Sequence, residues 1–384
     1  MLALVALGQF LGLTLWFSAT AAAPRIAAEL HLGGSTTAWL TIAVQGGFVA
    51  GTLLSAILNL ADVLNARRLF AFGCGAGALA NAAIAFSSDA STIIALRFAT
   101  GVALACVYPP GMKIVAGWFR ERRGTALGVV VGALTLGSAF PHLLAWTAAD
   151  VSWRTLVLAS SALAVLGGIV VSVAVQDGPH VAASAPFDAH AITAVVRNRA
   201  ARLATLGYLG HMWELYAMWA WIPFFATASI EAAGSGRTQG SLVAFTAIAS
   251  GAVGCVLAGQ WADRWGKARV ARLAMLGSGA CAATAGLVFG APLIVLLLFA
   301  VFWGFTVVAD SAQFSALVSE YSARTHVGTA LTLQTCVGFL LTMISIRLLP
   351  IVAASIGWRW VFLLLVPGPL LGALAMRRLE AADR

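Results

Sequence analysis

Gly259-Gln260-Trp261-Ala262-Asp263-Arg264-Trp265-Gly266-Lys267 joins two long apolar runs through a short basic turn. A weaker copy stands earlier in the chain, at Leu60-Ala61-Asp62 with Arg67-Arg68, so that Asp62 and Asp263 are 201 residues apart. Two further pairs keep nearly the same spacing. Gly124-Thr125-Ala126-Leu127 recurs as Gly328-Thr329-Ala330-Leu331 at an offset of 204, and Trp153-Arg154 recurs as Trp358-Arg359 at 205. Three anchors at one spacing read as an internal duplication.

The solvent of this duplicated chain follows from composition. Of 384 residues, 61% are hydrophobic and 10% charged, whereas soluble domains carry roughly 25% charged residues. So much apolar surface has no interior large enough to hide in, and lipid is its expected surroundings. A spanning helix needs ~20 apolar residues, and twelve fit: 2–23, 37–59, 69–87, 91–112, 124–146, 155–175, 203–229, 239–259, 270–290, 293–317, 327–350 and 359–376. All are expected to be helices, because an open strand edge has no hydrogen-bond partner in hydrocarbon. The fold class is therefore an all-α integral membrane protein, with an N-terminal six-helix bundle over 1–175, a central loop over 176–202 and a C-terminal six-helix bundle over 203–384. A short interfacial helix is expected near 188–199.

The net charge of +9 does not mark a nucleic-acid binder, since the basic residues sit in short turns between apolar runs. Seventeen of the 23 Lys and Arg fall on one side, against Arg25, Arg97, Arg154, Arg237, Arg347 and Arg359. This bias puts both termini and the central loop in the cytoplasm of a multi-pass protein of the bacterial inner (plasma) membrane. Residues 1–23 end in small residues, as a signal peptide does, but lack a basic leader and carry a long apolar run, and they read as the first span. The five cysteines lie inside apolar runs with no CxxC spacing and read as small hydrophobes. No cofactor or metal motif is present, and no GxxxxGK sequence that would supply a nucleotide site.

The 259–267 loop resembles the cytoplasmic loop signature of the major facilitator superfamily, G-x-x-x-D-R-x-G-R/K, between spans 8 and 9. Its second expected place, between spans 2 and 3, keeps Asp62 and a basic turn at Arg67 but loses the first Gly, the Arg after the Asp and the second Gly. Arg97-Phe98-Ala99-Thr100-Gly101 resembles the family's R-x-x-x-G pattern in span 4. The resemblance covers essentially the whole chain. It implies a secondary active transporter, not an enzyme, in which two bundles alternate access to a central cavity lined by spans 1, 4, 7 and 10. It also makes Asp62, Arg67, Gly259, Asp263, Arg264, Gly266 and Lys267 a conformational gate. The other reading is that the two aspartates are ordinary interfacial charges. The G-P-x-x-G-G pattern of the family's proton/drug antiporters is absent, since Gly137 is followed by Ser138-Ala139-Phe140-Pro141. The arginines that the family's nitrate porters carry in spans 2 and 8 are missing as well.

Ionisable groups in the hydrocarbon core cost roughly 3 kcal/mol or more, so each is a functional candidate. They are Arg97, His142, His211, Glu214, Asp310 and Arg347. His211 and Glu214 are three apart and share a helical face. That spacing suits a proton or substrate site, a structural pair between helices, or, with fewer ligands than usual, a metal. Glu214 lies about 16 Å and Asp310 about 12 Å from the basic side at 1.5 Å per residue. Arg97 suits an anionic substrate, Arg347 snorkelling, and His142, next to Pro141, packing or backbone bonding. Gln45, Tyr108, Trp213, Tyr216 and Gln313 are polar or aromatic groups able to orient a ligand. The expected function is movement of a small solute, with a small organic anion favoured, coupled to protons. Drug or metabolite efflux by proton antiport is the alternative, and a membrane-embedded enzyme using His211/Glu214 is the alternative from another class. The expected partners are a small-molecule substrate, the proton and the lipid bilayer, with the chain acting as a monomer.

Overall fold

The computed structural model describes residues 1–119, 123–180, 188, 191–234, 239–323 and 326–382. The side chains of 61, 62, 123, 191, 194 and 195 lie outside that description. Its regular structure among the described residues is helical. The helices are α1 Leu2–Leu13, α2 Ser18–Glu29, α3 Gly34–Ile57, α4 Leu60–Val63, α5 Ala66–Ile84, α6 Ala90–Leu104, α7 Tyr108–Trp118, α8 Arg123–Thr147, α9 Trp153–Ala174, α10 Ala191–Arg197, α11 Arg199–Ala232, α12 Gly240–Trp265, α13 Lys267–Thr284, α14 Leu293–Ala309, α15 Ser311–Tyr321, α16 Val327–Ile356 and α17 Pro367–Ala382. Paired across their breaks (α1/α2, α6/α7, α14/α15), and setting aside the short α4 and α10, they make the twelve expected spans. Ten are long and apolar enough to cross a membrane by length and composition alone. The other two, α5 and α11, carry Arg67, Arg68 and Asn81, and Arg199, Arg202, His211 and Glu214. The seventh span starts at Arg199, four residues before the expected boundary, because Asn198 caps it by accepting from the Ala201 N–H at 3.0 Å.

The duplication reappears as geometry. A Cβ on Gly47 would fall 1.9 Å from the Phe98 carbonyl oxygen, and one on Gly101 would fall 2.1 Å from that of Val44. In the second bundle a Cβ on Gly304 would fall 1.6 Å from the Ala247 oxygen, and one on Gly251 2.9 Å from that of Gly304. The α3–α6 and α12–α14 pairs are thus both backbone-to-backbone approaches that only glycine permits. Ion pairs repeat too: Arg67 holds Asp177 through Nε–Oδ1 and Nη2–Oδ2, both 3.0 Å, and Arg272 holds Glu380 at 2.7 and 3.1 Å.

Three spans break in mid-membrane. Span 1 turns at 14–17, span 4 at 105–107 and span 10 at Asp310. In span 4 the cause is local, since Pro109 and Pro110 have no N–H to offer the carbonyls of Ala105 and Cys106. The bundles meet along two seams. On one, α8 lies against α12 through Gly128 and Gly132, whose Cβ positions would be 3.1 Å from the Cys255 oxygen and 3.0 Å from the Ala252 oxygen. On the other, α3 faces α16, with Gly46 beside Met343.

Candidate functional site between the bundles

The break in span 1 presents Trp16 and Phe17 to the opposite bundle, where they meet residues of α11 and α16. Trp16 stacks on Tyr216 at 5.8 Å and lies 5.6 Å from Phe339. Phe17 stacks on Tyr216 at 6.2 Å with a 6° interplanar angle and meets Trp219 edge-on at 5.8 Å. Phe48 of α3 closes the ring, 4.7 Å from Phe339 and 4.9 Å from Trp16. All six rings are buried. Polar atoms of the rings Trp16 and Trp219 (each Nε1) and both ring nitrogens of the adjoining His142 find no hydrogen-bond partner among the described residues; the amide atoms of buried Gln45 in α3 are likewise unpaired. His142 lies 6.3 Å from Phe17 and is fully buried. Each such atom costs about 1–3 kcal/mol when left unsatisfied. Rings from both bundles thus meet beside polar atoms left unpaired among the described residues.

His211, Glu214 and Asp310 form a second group, arranged differently from the helical spacing. His211 Nδ1 lies 2.8 Å from Asp310 Oδ1, at ion-pair distance without hydrogen-bond alignment, and both side chains are buried. Glu214 accepts from Trp303 Nε1 and from Ser278 Oγ, each at 2.8 Å. The expected His211/Glu214 pair is therefore not a direct contact. Residues three apart on a helix diverge by about 60°, and here one points to the break in span 10 and the other between α13 and α14. Glu214 and Asp310 remain within electrostatic reach of each other.

The remaining candidates divide by direction. Arg97 is fully buried and directed into its own bundle: it donates to the carbonyls of Leu40 and Leu15 at 2.9 Å each, to that of Trp16, and to Asn81 Oδ1 at 3.4 Å. Its guanidinium ties down the backbone freed by the span 1 break. Trp213 donates to the Leu364 carbonyl at 3.0 Å and packs on α17. Gln313 is buried one turn beyond Asp310. Tyr108 starts α7 at the span 4 break, within electrostatic range of Tyr208 and Tyr216. Of the two expectations for His142, packing and backbone bonding, the structure shows it packed beside Phe17 with no hydrogen-bond partner among the described residues.

In the loop signature, Asp263 Oδ1 lies 3.4 Å from where a Cβ on Gly124 would stand, which places the carboxylate at the first turn of α8, where exposed N–H groups favour negative charge. Gly259 lies against Gly124 and Thr125, Arg264 is exposed, and Gly266 turns the chain with φ +85°. Lys267 pairs with Glu320 of its own bundle. Arg67 pairs with Asp177 of its own bundle, and that guanidinium holds the exposed carboxyl below the usual aspartate range. The Asp62 side chain lies outside the described residues. Of this set, the contact between bundles described here is that of Gly259 and Asp263.

Trp219, Phe339 and the place of His142 beside Phe17 were not legible as site features. Their only sequence signal is polarity or aromaticity at a depth shared by spans 5, 7 and 11.

The family model of the Major Facilitator Superfamily matches residues 5–231 and 222–384. The Hexuronate transporter of Escherichia coli (strain K12) is 28% identical over 173 residues, 42% of this chain and 38% of that protein. The Galacturonate transporter of Dickeya chrysanthemi is 28% identical over 173 residues, 43% of this chain and 48% of that protein. An uncharacterized MFS-type transporter of Mycobacterium tuberculosis is 26% identical over 159 residues, 41% of this chain and 27% of that protein. The matches thus span less than half the length of these relatives. With twelve helical spans, duplicated packing and a family match along nearly its whole length, this chain belongs to the Major Facilitator Superfamily.

Proposed function

We propose that the protein is a secondary active transporter that moves a small organic anion of the sugar-acid type across the bacterial inner membrane, coupled to protons. It works as a monomer by alternating access of bundles 1–175 and 203–384, with both termini in the cytoplasm. The observation that carries this reading is the box of Trp16, Phe17, Phe48, Tyr216, Trp219 and Phe339, with unpaired polar atoms on Trp16, Trp219 and the adjoining His142. Aromatic faces cover the apolar face of a sugar ring, and the unpaired donors and acceptors suit its hydroxyl and carboxylate oxygens. The printed substrates of two relatives, hexuronate and galacturonate, are of this class.

The proton route in this reading is the His211–Asp310 contact, with Glu214 one turn away. Asp310 sits at a helix break, where a change in protonation can shift backbone geometry. Glu214 and His211 point to different neighbours rather than into one pocket, which supports a carrier over an enzyme. The test is D-galacturonate uptake by proteoliposomes under an imposed pH gradient, followed by counterflow. Saturable uptake that collapses with the gradient is expected. Absence of saturable flux for D-galacturonate, D-glucuronate and related acids in both assays would sink the reading.

A further inference from the structure

On the outer surface of the second bundle, a groove opens between α12, α13 and α14. Trp261 and Trp265 form one wall, stacked at 5.6 Å with 15° between their planes. Leu273 forms the other, Phe305 stands at the inner end, and the floor is small residues such as Ala258 and Ala309. Trp265 is 51% exposed and Leu273 47% exposed, so the walls stand proud of the floor. From Ala258 to Trp265 the groove extends about 10 Å along α12, a third of a ~30 Å hydrocarbon core.

The groove ends where α12 turns into α13 at Gly266, and basic residues flank that end. Arg264 and Arg269 are exposed and adjoin in sequence the lining residues Trp265 and Val270. Arg272 and Lys267 are neutralised by Glu380 and Glu320. Asp263, also exposed, lies against the start of α8. Apolar walls leading up to two exposed guanidinium groups at a membrane surface match one chemistry: an acyl chain beneath an anionic headgroup. Tryptophan at this depth also suits the headgroup boundary.

We propose that this groove binds one anionic phospholipid, with the head-proximal part of an acyl chain between the Trp261/Trp265 wall and Leu273 and the phosphate at Arg264 and Arg269. The floor residue Ala309 precedes Asp310, and the α12 end that carries Arg264 also carries Asp263 against α8. Lipid in the groove thus braces the turn that meets the first bundle and the helix that breaks at Asp310.

The test uses the full-length protein in detergent with dioleoylphosphatidylglycerol or dioleoylphosphatidylcholine, read by native mass spectrometry. Wild type is expected to retain one phosphatidylglycerol under activation that strips phosphatidylcholine. R264Q/R269Q is expected to lower that retention roughly fivefold or more, as loss of two surface cations implies. L273W fills the groove from an exposed position and is expected to abolish the retained lipid. Should L273W fail to give a monodisperse protein, W265S, which removes a wall at an exposed position, is expected to lose it as well. Equal retention of the two lipids, or undiminished phosphatidylglycerol in both groove variants, overturns the proposal. Dimers that replace bound lipid would make the face a self-association surface and overturn it too.

Discussion

At the scale of single residues, the two buried polar groups of the second bundle separate proton movement from binding. D310N is expected to abolish uptake driven by a pH gradient while leaving counterflow within about twofold, and E214Q to impair gradient-driven uptake; unchanged pH dependence in both would refute the proton route. H142A and W219F remove unpaired groups from the aromatic box. Each is expected to raise KM for D-galacturonate roughly tenfold, since one hydrogen bond contributes about 1 kcal/mol or more, with little effect on thermal stability. R97M is expected to act in the opposite way. It leaves the carbonyls of Leu15, Trp16 and Leu40 without a donor, at a cost of roughly 3 kcal/mol or more, visible as a lowered melting temperature in detergent. The residue types of this network were legible in the sequence because any charge inside an apolar run stands out. Their partners were not, because a side chain at mid-helix chooses among several neighbours. Arg97 lies on a span that the resemblance makes cavity-lining and yet faces into its own bundle, and Glu214 bonds an indole rather than the imidazole three residues away.

At the scale of elements, the packing of helix on helix rests on glycines that the alternation of apolar residues does not reveal. G304A is expected to destabilise by on the order of 2 kcal/mol, because its methyl would meet the Ala247 oxygen. G75A is the contrast: a Cβ there meets nothing within 4 Å, and the substitution is expected to be neutral or to stabilise by about 0.5–1 kcal/mol. Thermal unfolding of the two variants side by side decides this. The Arg67–Asp177 clasp joins α5 to the end of α9 and predicts a pH signature. The folded carboxyl titrates below its ordinary value of 3.8. The clasp therefore contributes fully above that value and is lost as pH falls through the lower folded one. With both partners partly solvated, its worth is under about 1 kcal/mol. D177N is expected to remove this acid dependence from the melting temperature.

At the scale of the whole molecule, the proposed alternating access opens the seam of α8 and α12. Gly259 lies against Gly124 and Thr125 across that seam. The double variant T125C/G259C is expected to cross-link under oxidation and to stop counterflow, with recovery on reduction. Flux that persists through complete cross-linking would refute movement at this seam. The sequence by itself determined the membrane, the number of spans, the duplication and the family, because each follows from composition or from a local repeat that needs no contact information. Tertiary structure alone decided which side chains meet between the bundles, which pair and which stay unpaired. The six rings of the central box come from four spans spread over more than 300 residues. No local pattern encodes their meeting, since it is set by how closely glycine-lined helices approach and where three of them break.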